Sequence, residues 1–389
     1  MAQVNLNTSE LKSFVNHIVT NNRYLQQNGK IPVAVAVEGE AGIGKTSTIL
    51  EIGKSLGLHV VKLNLAQIEE IGDLTGFPMK EFEIKKDEVT KWVPENTLPL
   101  YIQNKYIPTG EKRMTHAAPE WIQGKGDGGI LILDDYTRAD SRFLQACMDL
   151  IDRQEYISWK LPKDWHIILT TNPDNGDYNV TSIDVAQKTR FITANLKFDI
   201  DCWAKWAESA NLDSRCINFL LLHPELVTKE TNARSITTFF NSISSFDSFE
   251  NNLPMIQFIA EGSVGETFGT MFTMFINNRL DKMISPNQVL LNQNWDNVKS
   301  ELHETIGTGA NYRADIASVL ATRLINYTVN YSNTEQVTDK ILERVKNIVT
   351  SDVFTNDIKY HIIKNVINGN KTKFTKLMMD AEIVKMAVK

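Results

Sequence analysis

The residues with the plainest chemical purpose are Gly39, Glu40, Ala41, Gly42, Ile43, Gly44, Lys45, Thr46 and Ser47. The first eight fill every fixed position of the pattern G-x-x-x-x-G-K-[ST]. Glycine lets successive backbone N–H groups turn inward around phosphate oxygens, where a side chain would block the approach. A lysine at the seventh place reaches β- and γ-phosphates as a flexible point charge, and the threonine hydroxyl is a ligand for Mg²⁺. The start of the following helix adds its dipole. At ordinary residue frequencies, about one chain in a hundred of this length would match by chance. The chemistry implied is the binding of ATP with Mg²⁺ over Gly39–Ser47, with Glu40 facing solvent.

Two further groups fit the same chemistry. Gly129-Ile-Leu-Ile-Leu-Asp134 is an apolar run that ends in Asp134 and Asp135. A carboxylate at the carboxyl end of a strand beside such a loop holds the Mg²⁺ shell, so Asp134 joins Thr46 as a metal ligand. The run Trp165-His-Ile-Ile-Leu-Thr170 leads straight into Thr171-Asn172-Pro173, which puts an amide at another strand end.

These groups need a scaffold, and the hydrophobic pattern supplies one. Leu11, Phe14, Val15, Ile18 and Val19 recur at helical spacing after Thr8-Ser9, which predicts an opening helix. Ile31 to Glu38 reads as a buried strand ended by the glycine-rich turn, and a helix follows from Gly44 to Leu56. His59–Leu63, Gly129–Asp134 and Trp165–Thr170 are the next strands, with a helix over Arg142–Arg153 between the last two. Strands alternating with helices predict a three-layer α/β fold with a parallel sheet. After Asp199 the pattern turns helical, through Trp203–Trp206, Ile217–Leu222, Ile236–Ile243 and Phe268–Phe275. A final helical stretch begins near Asn333 and includes Lys364, Lys371, Lys373 and Lys376; a solvated helix face accounts for that charge. The expected division is a nucleotide-binding core over 1–199, a helical lid over 200–332 and a helical extension over 333–389.

Composition narrows the function classes. The chain has 389 residues, 42% hydrophobic and 23% charged, enough for substantial cores without cross-links. Lys and Arg total 41 against 47 acids, a net charge of −6, which argues against a general nucleic-acid coat. The three cysteines, Cys147, Cys202 and Cys216, include no C-x-x-C pair, so neither a metal site nor a disulfide scaffold is expected. The stretch Met1-Ala-Gln-Val-Asn-Leu-Asn has no leader pattern, and no run approaches the ~18 apolar residues of a membrane span. A cytoplasmic protein is expected.

Leu131-Ile-Leu-Asp-Asp135-Tyr-Thr-Arg-Ala139, then Phe143-Leu-Gln, then Ile168-Leu-Thr-Thr-Asn172-Pro, resembles the MoxR-like, dynein-related branch of AAA+ ATPases over roughly residues 10–285. The resemblance implies a ring, usually a hexamer, with ATP at subunit interfaces and hydrolysis coupled to remodelling of a protein partner. By analogy that partner carries a von Willebrand A-type domain. Carried over by position, Lys45 and Thr46 make the Walker A contacts, Asp134 is the Walker B ligand, and Asn172 is sensor 1, orienting the attacking water. Arg190, in Gln187-Lys-Thr-Arg-Phe191, resembles the arginine finger that reaches a neighbouring subunit's γ-phosphate. Arg234, in Asn232-Ala-Arg-Ser-Ile, resembles the sensor 2 arginine of the lid, and Arg138 stands where the branch has an arginine facing a subunit boundary. The branch's catalytic Glu is replaced by Asp135, one methylene shorter, and a misplaced base costs about 10²-fold. This leaves a nucleotide-gated assembly switch as the alternative to a motor. A nucleic-acid motor or loader fits less well, and no nucleic-acid partner is expected. The chain between Lys45 and Asp134 is longer than a helix–strand–helix connection needs. The excess, near 78–120, contains Phe82, Trp92, Tyr101 and Tyr106, with Trp121 just beyond. It reads either as a pore loop that contacts substrate or as a solvent-facing β-hairpin.

Overall fold

A computed structural model describes residues 4–388. Met1–Gln3 of the amino-terminal stretch and Lys389 of the helical extension lie outside the described residues. The chain divides into two units, Met1–Lys197 and Phe198–Lys389.

The first unit runs β1 (Asn5–Leu6), α1 (Thr8–Gln27), β2 (Ala34–Glu38), α2 (Lys45–Ser55), β3 (His59–Asn64), α3 (Ile71–Thr75), β4 (Pro78–Lys86), β5 (Val89–Pro94), α4 (Leu98–Gln103) and β6 (Ile107–His116). It continues with β7 (Gly129–Asp134), α5 (Ser141–Arg153), the short strands β8 (Glu155–Tyr156) and β9 (Trp159–Lys160), β10 (Trp165–Thr171), α6 (Val185–Lys188) and β11 (Phe191–Leu196). The main sheet has the order β1-β11-β2-β10-β7-β3, and every pair in it is parallel.

Period-2 alternation sorts its side chains into two cores. Val35, Val37, Ile130, Ile132 and Ile168 face one side, with Leu11 and Val15 of α1 and Ile49 and Ile52 of α2. Ala34, Ala36, Leu131, Leu133, Ile167 and Leu169 face the other, with Leu144, Cys147 and Ile151 of α5. The result is the expected three-layer α/β core. Its central strands read as continuous apolar runs because both faces are covered.

The segment between α3 and β7 is a three-stranded antiparallel sheet, β5-β4-β6. It therefore has one strand more than the β-hairpin alternative. β11, which pairs with β2, is not legible in the sequence: Ile192 and Thr193 are exposed and only Ala194–Leu196 are buried.

Every regular element among the described residues of the second unit is a helix. It opens with α7 (Ile200–Ser209), α8 (Ser214–Leu222) and α9 (Ala233–Ile243). Phe219, Phe239, Phe268 and Phe272 pack edge to face at its centre, with ring centroids 4.8 to 5.7 Å apart. Arg323 is 2% exposed. Its guanidinium meets Glu208 at 3.0 Å and donates to Asn218 Oδ1 at 2.8 Å and Ser214 Oγ at 2.8 Å. A buried charge held this way is tolerated because its partners replace water. The helix Ala314–Thr334 runs through position 332, and residues on both sides of it share one core, so the expected lid and extension lie in one unit. No helix of the described residues is long and apolar enough to cross a membrane.

Candidate functional site

Parallel strands end on one edge, and register decides what meets there. Thr171 of β10 is level with Glu38 of β2, Leu169 with Leu133 of β7, and Asn64 of β3 with Asp134. The loop Gly39–Gly44, the carboxylates Asp134 and Asp135, and Asn172 therefore emerge side by side.

The loop is shaped by its glycines at two points. Gly44 has φ 93° and caps α2 without a side chain, a conformation only glycine adopts at low cost. A Cβ on Gly39 would lie 2.8 Å from Leu196 O and 2.7 Å from Ile43 Cδ1, and Gly39 N donates to Thr171 O at 3.2 Å. The first turn of α2 thus opens toward the loop with its N–H groups uncapped by side chains, a ready anion site.

Lys45 is 8% exposed. Its Nζ donates to Gly39 O at 2.6 Å, Glu40 O at 2.9 Å and Asn172 Oδ1 at 2.9 Å. Lys45 and the Asn172 amide are thus in direct contact, although they are far apart in the chain. Thr46 Oγ1 donates to Asp134 Oδ1 at 2.7 Å, and so does Thr170 Oγ1. Lys62 Nζ lies 3.0 Å from Asp134 Oδ2. Burial alone would push the Asp134 carboxyl up. The hydrogen bonds from Thr170, Thr46 and Lys62 outweigh it and hold the group below the usual carboxylate range.

Asp135 follows in a left-handed conformation, φ 52° and ψ 39°, pinned where its N–H donates to Thr170 Oγ1 at 3.0 Å. Its own carboxylate has no hydrogen-bond or ion-pair partner among the described residues and is half-buried. Glu40 departs from the solvent-facing expectation. Its Oε2 accepts from Tyr178 Oη at 2.6 Å, and the same hydroxyl accepts from Ala41 N at 3.2 Å. Ile43 and Gly42 complete the loop, and Ser47 is exposed on the first turn of α2.

Arg190 is not at this edge. It immediately precedes Phe191, which pairs with Ala34 at the opposite end of β2, about five residues or roughly 16 Å along the strand from Gly39. Its Nη1 donates to Ala186 O at 2.6 Å, and its Nε lies 3.5 Å from Asp152. Arg190 is thus placed away from its own chain's loop. Arg138 ends the single turn after Asp135 and is exposed. Arg234 lies in the second unit, in the first turn of α9, and is also exposed.

Sequence reasoning misses Lys62, Thr170 and Tyr178. Lys62 breaks the apolar pattern of β3 and lies on the strand beside Asp134, a signal visible only once the β3–β7 pairing is known. Thr170 is absorbed in the Thr-Thr-Asn-Pro run without a role of its own. Tyr178 sits in a loop with no periodicity.

The cysteines are free, and Cys147 and Cys216 are buried. Burial pushes the Cys147 thiol up to about 12.

No protein-family model matches the chain, and no curated protein does. Several solved structures are similar to it at low identity. A mutant of Thermotoga maritima RuvB is 12% identical over 73% of this chain and 77% of that one, with a TM-score of 0.37. The Thermotoga maritima RuvB Holliday junction branch migration motor is 12% identical over 86% and 94%, with a TM-score of 0.33. Brucella abortus NtrX in complex with ADP is 11% identical over 86% and 67%, with a TM-score of 0.33. At such scores the likeness decides nothing about function, which rests on the geometry of the site itself.

Proposed function

We propose that this chain binds ATP with Mg²⁺ at Gly39–Ser47 and hydrolyses it as one subunit of an AAA+ ring of MoxR-like type, remodelling a protein partner. The observation that carries the nucleotide reading is the convergence of Lys45, Thr46, Asp134 and Asn172 from α2 and the ends of β7 and β10, in hydrogen-bonded pairs. The oxygen donors Thr46 Oγ1 and Asp134 Oδ1, 2.7 Å apart, suit a hard cation such as Mg²⁺. When bound, Mg²⁺ neutralises charge on the β- and γ-oxygens.

The protein groups divide the work by position. The α2 N–H groups and Lys45 hold the phosphates. Asn172, released from Lys45 as that lysine turns to phosphate, directs the attacking water. Asp135, whose carboxylate is unengaged, accepts the water's proton. Arg190 supplies charge to the neighbouring subunit's γ-phosphate, and Arg234, exposed in the first turn of α9, is the counterpart of the branch's sensor 2 arginine. The partner, by analogy with the branch, is a protein with a von Willebrand A-type domain.

One observation favours a second reading, an ATP-gated assembly switch with little turnover: the base position holds the shorter Asp135, fixed by its left-handed backbone. Mg²⁺-dependent phosphate release across a range of protein concentrations separates the two, with Lys45→Ala as the blank. Turnover that climbs cooperatively with concentration and vanishes in the variant supports the ring ATPase. Tight ATP binding without turnover above the blank supports the switch.

A further inference from the structure

The sheet β5-β4-β6 sorts its charges by face. Along β4, Lys80, Phe82, Ile84 and Lys86 point to one side, and Glu81, Glu83 and Lys85 to the other. Cross-strand register extends the first face: Phe82 is opposite Val93 and Lys112, and Ile84 is opposite Lys91. On this face the ammonium groups stand over aromatic rings. Lys80 and Lys112 lie 5.2 and 5.6 Å from the Phe82 centroid. Lys91 lies 4.1 Å from Tyr101 and 4.4 Å from Tyr106, and Lys86 lies 5.3 Å from Tyr106. Glu95, 3.9 Å from Lys80, is the one carboxylate paired with these lysines among the described residues.

The opposite face carries both signs. Arg113 pairs with Glu81 at 2.7 Å, and Glu83 accepts from Thr109 at 2.7 Å. Asp87 and Glu88 sit in the β4–β5 turn, and Glu111 in the irregular stretch of β6. The net charge of −6 hides this segregation, because cations and acids alternate along the strands.

A ring beneath an ammonium fixes its position without cancelling its charge, whereas a carboxylate would cancel it. The centre of this face is packed, with Ile84 and Val93 buried, and around it the face offers preorganised positive charge interleaved with half-exposed Phe82, Tyr101 and Tyr106. A ligand that alternates an anionic group with a planar ring uses both features. We infer that this face binds single-stranded nucleic acid, phosphates on Lys86, Lys91 and Lys112 and bases against the rings. An acidic peptide would use the lysines and leave the rings idle. This goes beyond the proposed ATPase activity and does not rest on it.

The test is fluorescence anisotropy of a labelled oligothymidylate of about 20 nucleotides against the full chain, without nucleotide, over a series of salt concentrations. Binding is expected, with an affinity that falls as salt rises. The triple variant K86Q/K91Q/K112Q should flatten the log–log salt slope by roughly two, at about 0.7 for each phosphate that no lysine then neutralises. Lys86→Gln alone, a change at an exposed side chain, should flatten it by about a third as much. Lys85→Gln on the other face should leave it unchanged. Tyr106→Leu should weaken binding by about fivefold or more. Lys45→Ala should bind the oligonucleotide like the wild type, so failure of the ATP reading is seen separately. No binding at low salt, a slope unchanged in the triple variant, or capture of a polyglutamate peptide in place of the oligonucleotide would overturn the inference.

Discussion

Replacing Lys62 with methionine should tighten Mg²⁺ binding at the nucleotide site. Lys62 Nζ lies 3.0 Å from Asp134 Oδ2, so the cation must displace the ammonium or share the carboxylate with it. Point charges at that separation with an effective dielectric near 20 attract by roughly 5 kcal/mol. Lys62 is 43% exposed in its side chain, and solvent and salt reduce the net worth of such a pair to about 1 kcal/mol. Removing it should therefore strengthen Mg²⁺ binding about fivefold, while methionine keeps the unbranched stem. The Asp134 carboxyl should move up once Lys62 is gone, because burial then opposes only the two threonine hydroxyls. Its folded value is depressed in the wild type, so its contribution to stability is present above about pH 4 and lost as pH falls through the folded value. The Lys62→Met variant should lose part of that acid resistance. Calorimetric titration of Mg²⁺ into chain plus ATP reads the affinity, and melting from about pH 3 to 6 reads the linkage. Mg²⁺ binding unchanged or weakened in the variant would refute the competition and make Lys62 a phosphate contact instead.

Other perturbations read other parts of the site. Gly39→Ala puts a Cβ 2.8 Å from Leu196 O, a backbone atom that cannot turn aside; about 1–3 kcal/mol of stability should be lost, with ATP binding, as a denaturant melt and a binding isotherm would show. Asp135→Glu restores the missing methylene at an unengaged carboxylate and should raise the rate of phosphate release about 10- to 100-fold if reach limits the base; an unchanged rate would place the limit elsewhere. Arg190→Ala should lower turnover about 10³-fold or more and leave ATP binding intact. Mixing it with Lys45→Ala should recover part of the rate, since each variant supplies what the other lacks across an interface; mixtures no faster than either alone would count against action in trans.

The core strands are legible because both faces of the sheet are covered, so each strand is an apolar run, and Gly129–Asp134 has the bounds its sequence predicts. The loop Gly39–Ser47 is legible because its residue types stand at the fixed spacing of a phosphate-binding pattern. β11 is not, since its solvent-facing Ile192 and Thr193 interrupt the run and only its carboxyl half is buried. The sheet β5-β4-β6 can be suspected from its aromatic content, but the sorting of lysines from glutamates depends on register, which alternating charge alone does not reveal. At the site, Asp134 can be read from its strand end, while its partners Lys62 and Thr170 come from neighbouring strands. Contacts of that kind are created by strand order. Glu40 escapes a sequence reading for a related reason, because Tyr178, its partner, comes from a loop after β10.

The central claim is that Lys45 and the loop around it hold the phosphates of ATP. Equilibrium binding of Mg²⁺–ATP to the wild-type chain and to Lys45→Ala tests it most directly, with melting curves to establish that both are folded. Saturable binding at one site per chain, weakened a hundredfold or more in the variant, is the predicted result. Equal binding by the two proteins, or none by the wild type, would contradict it.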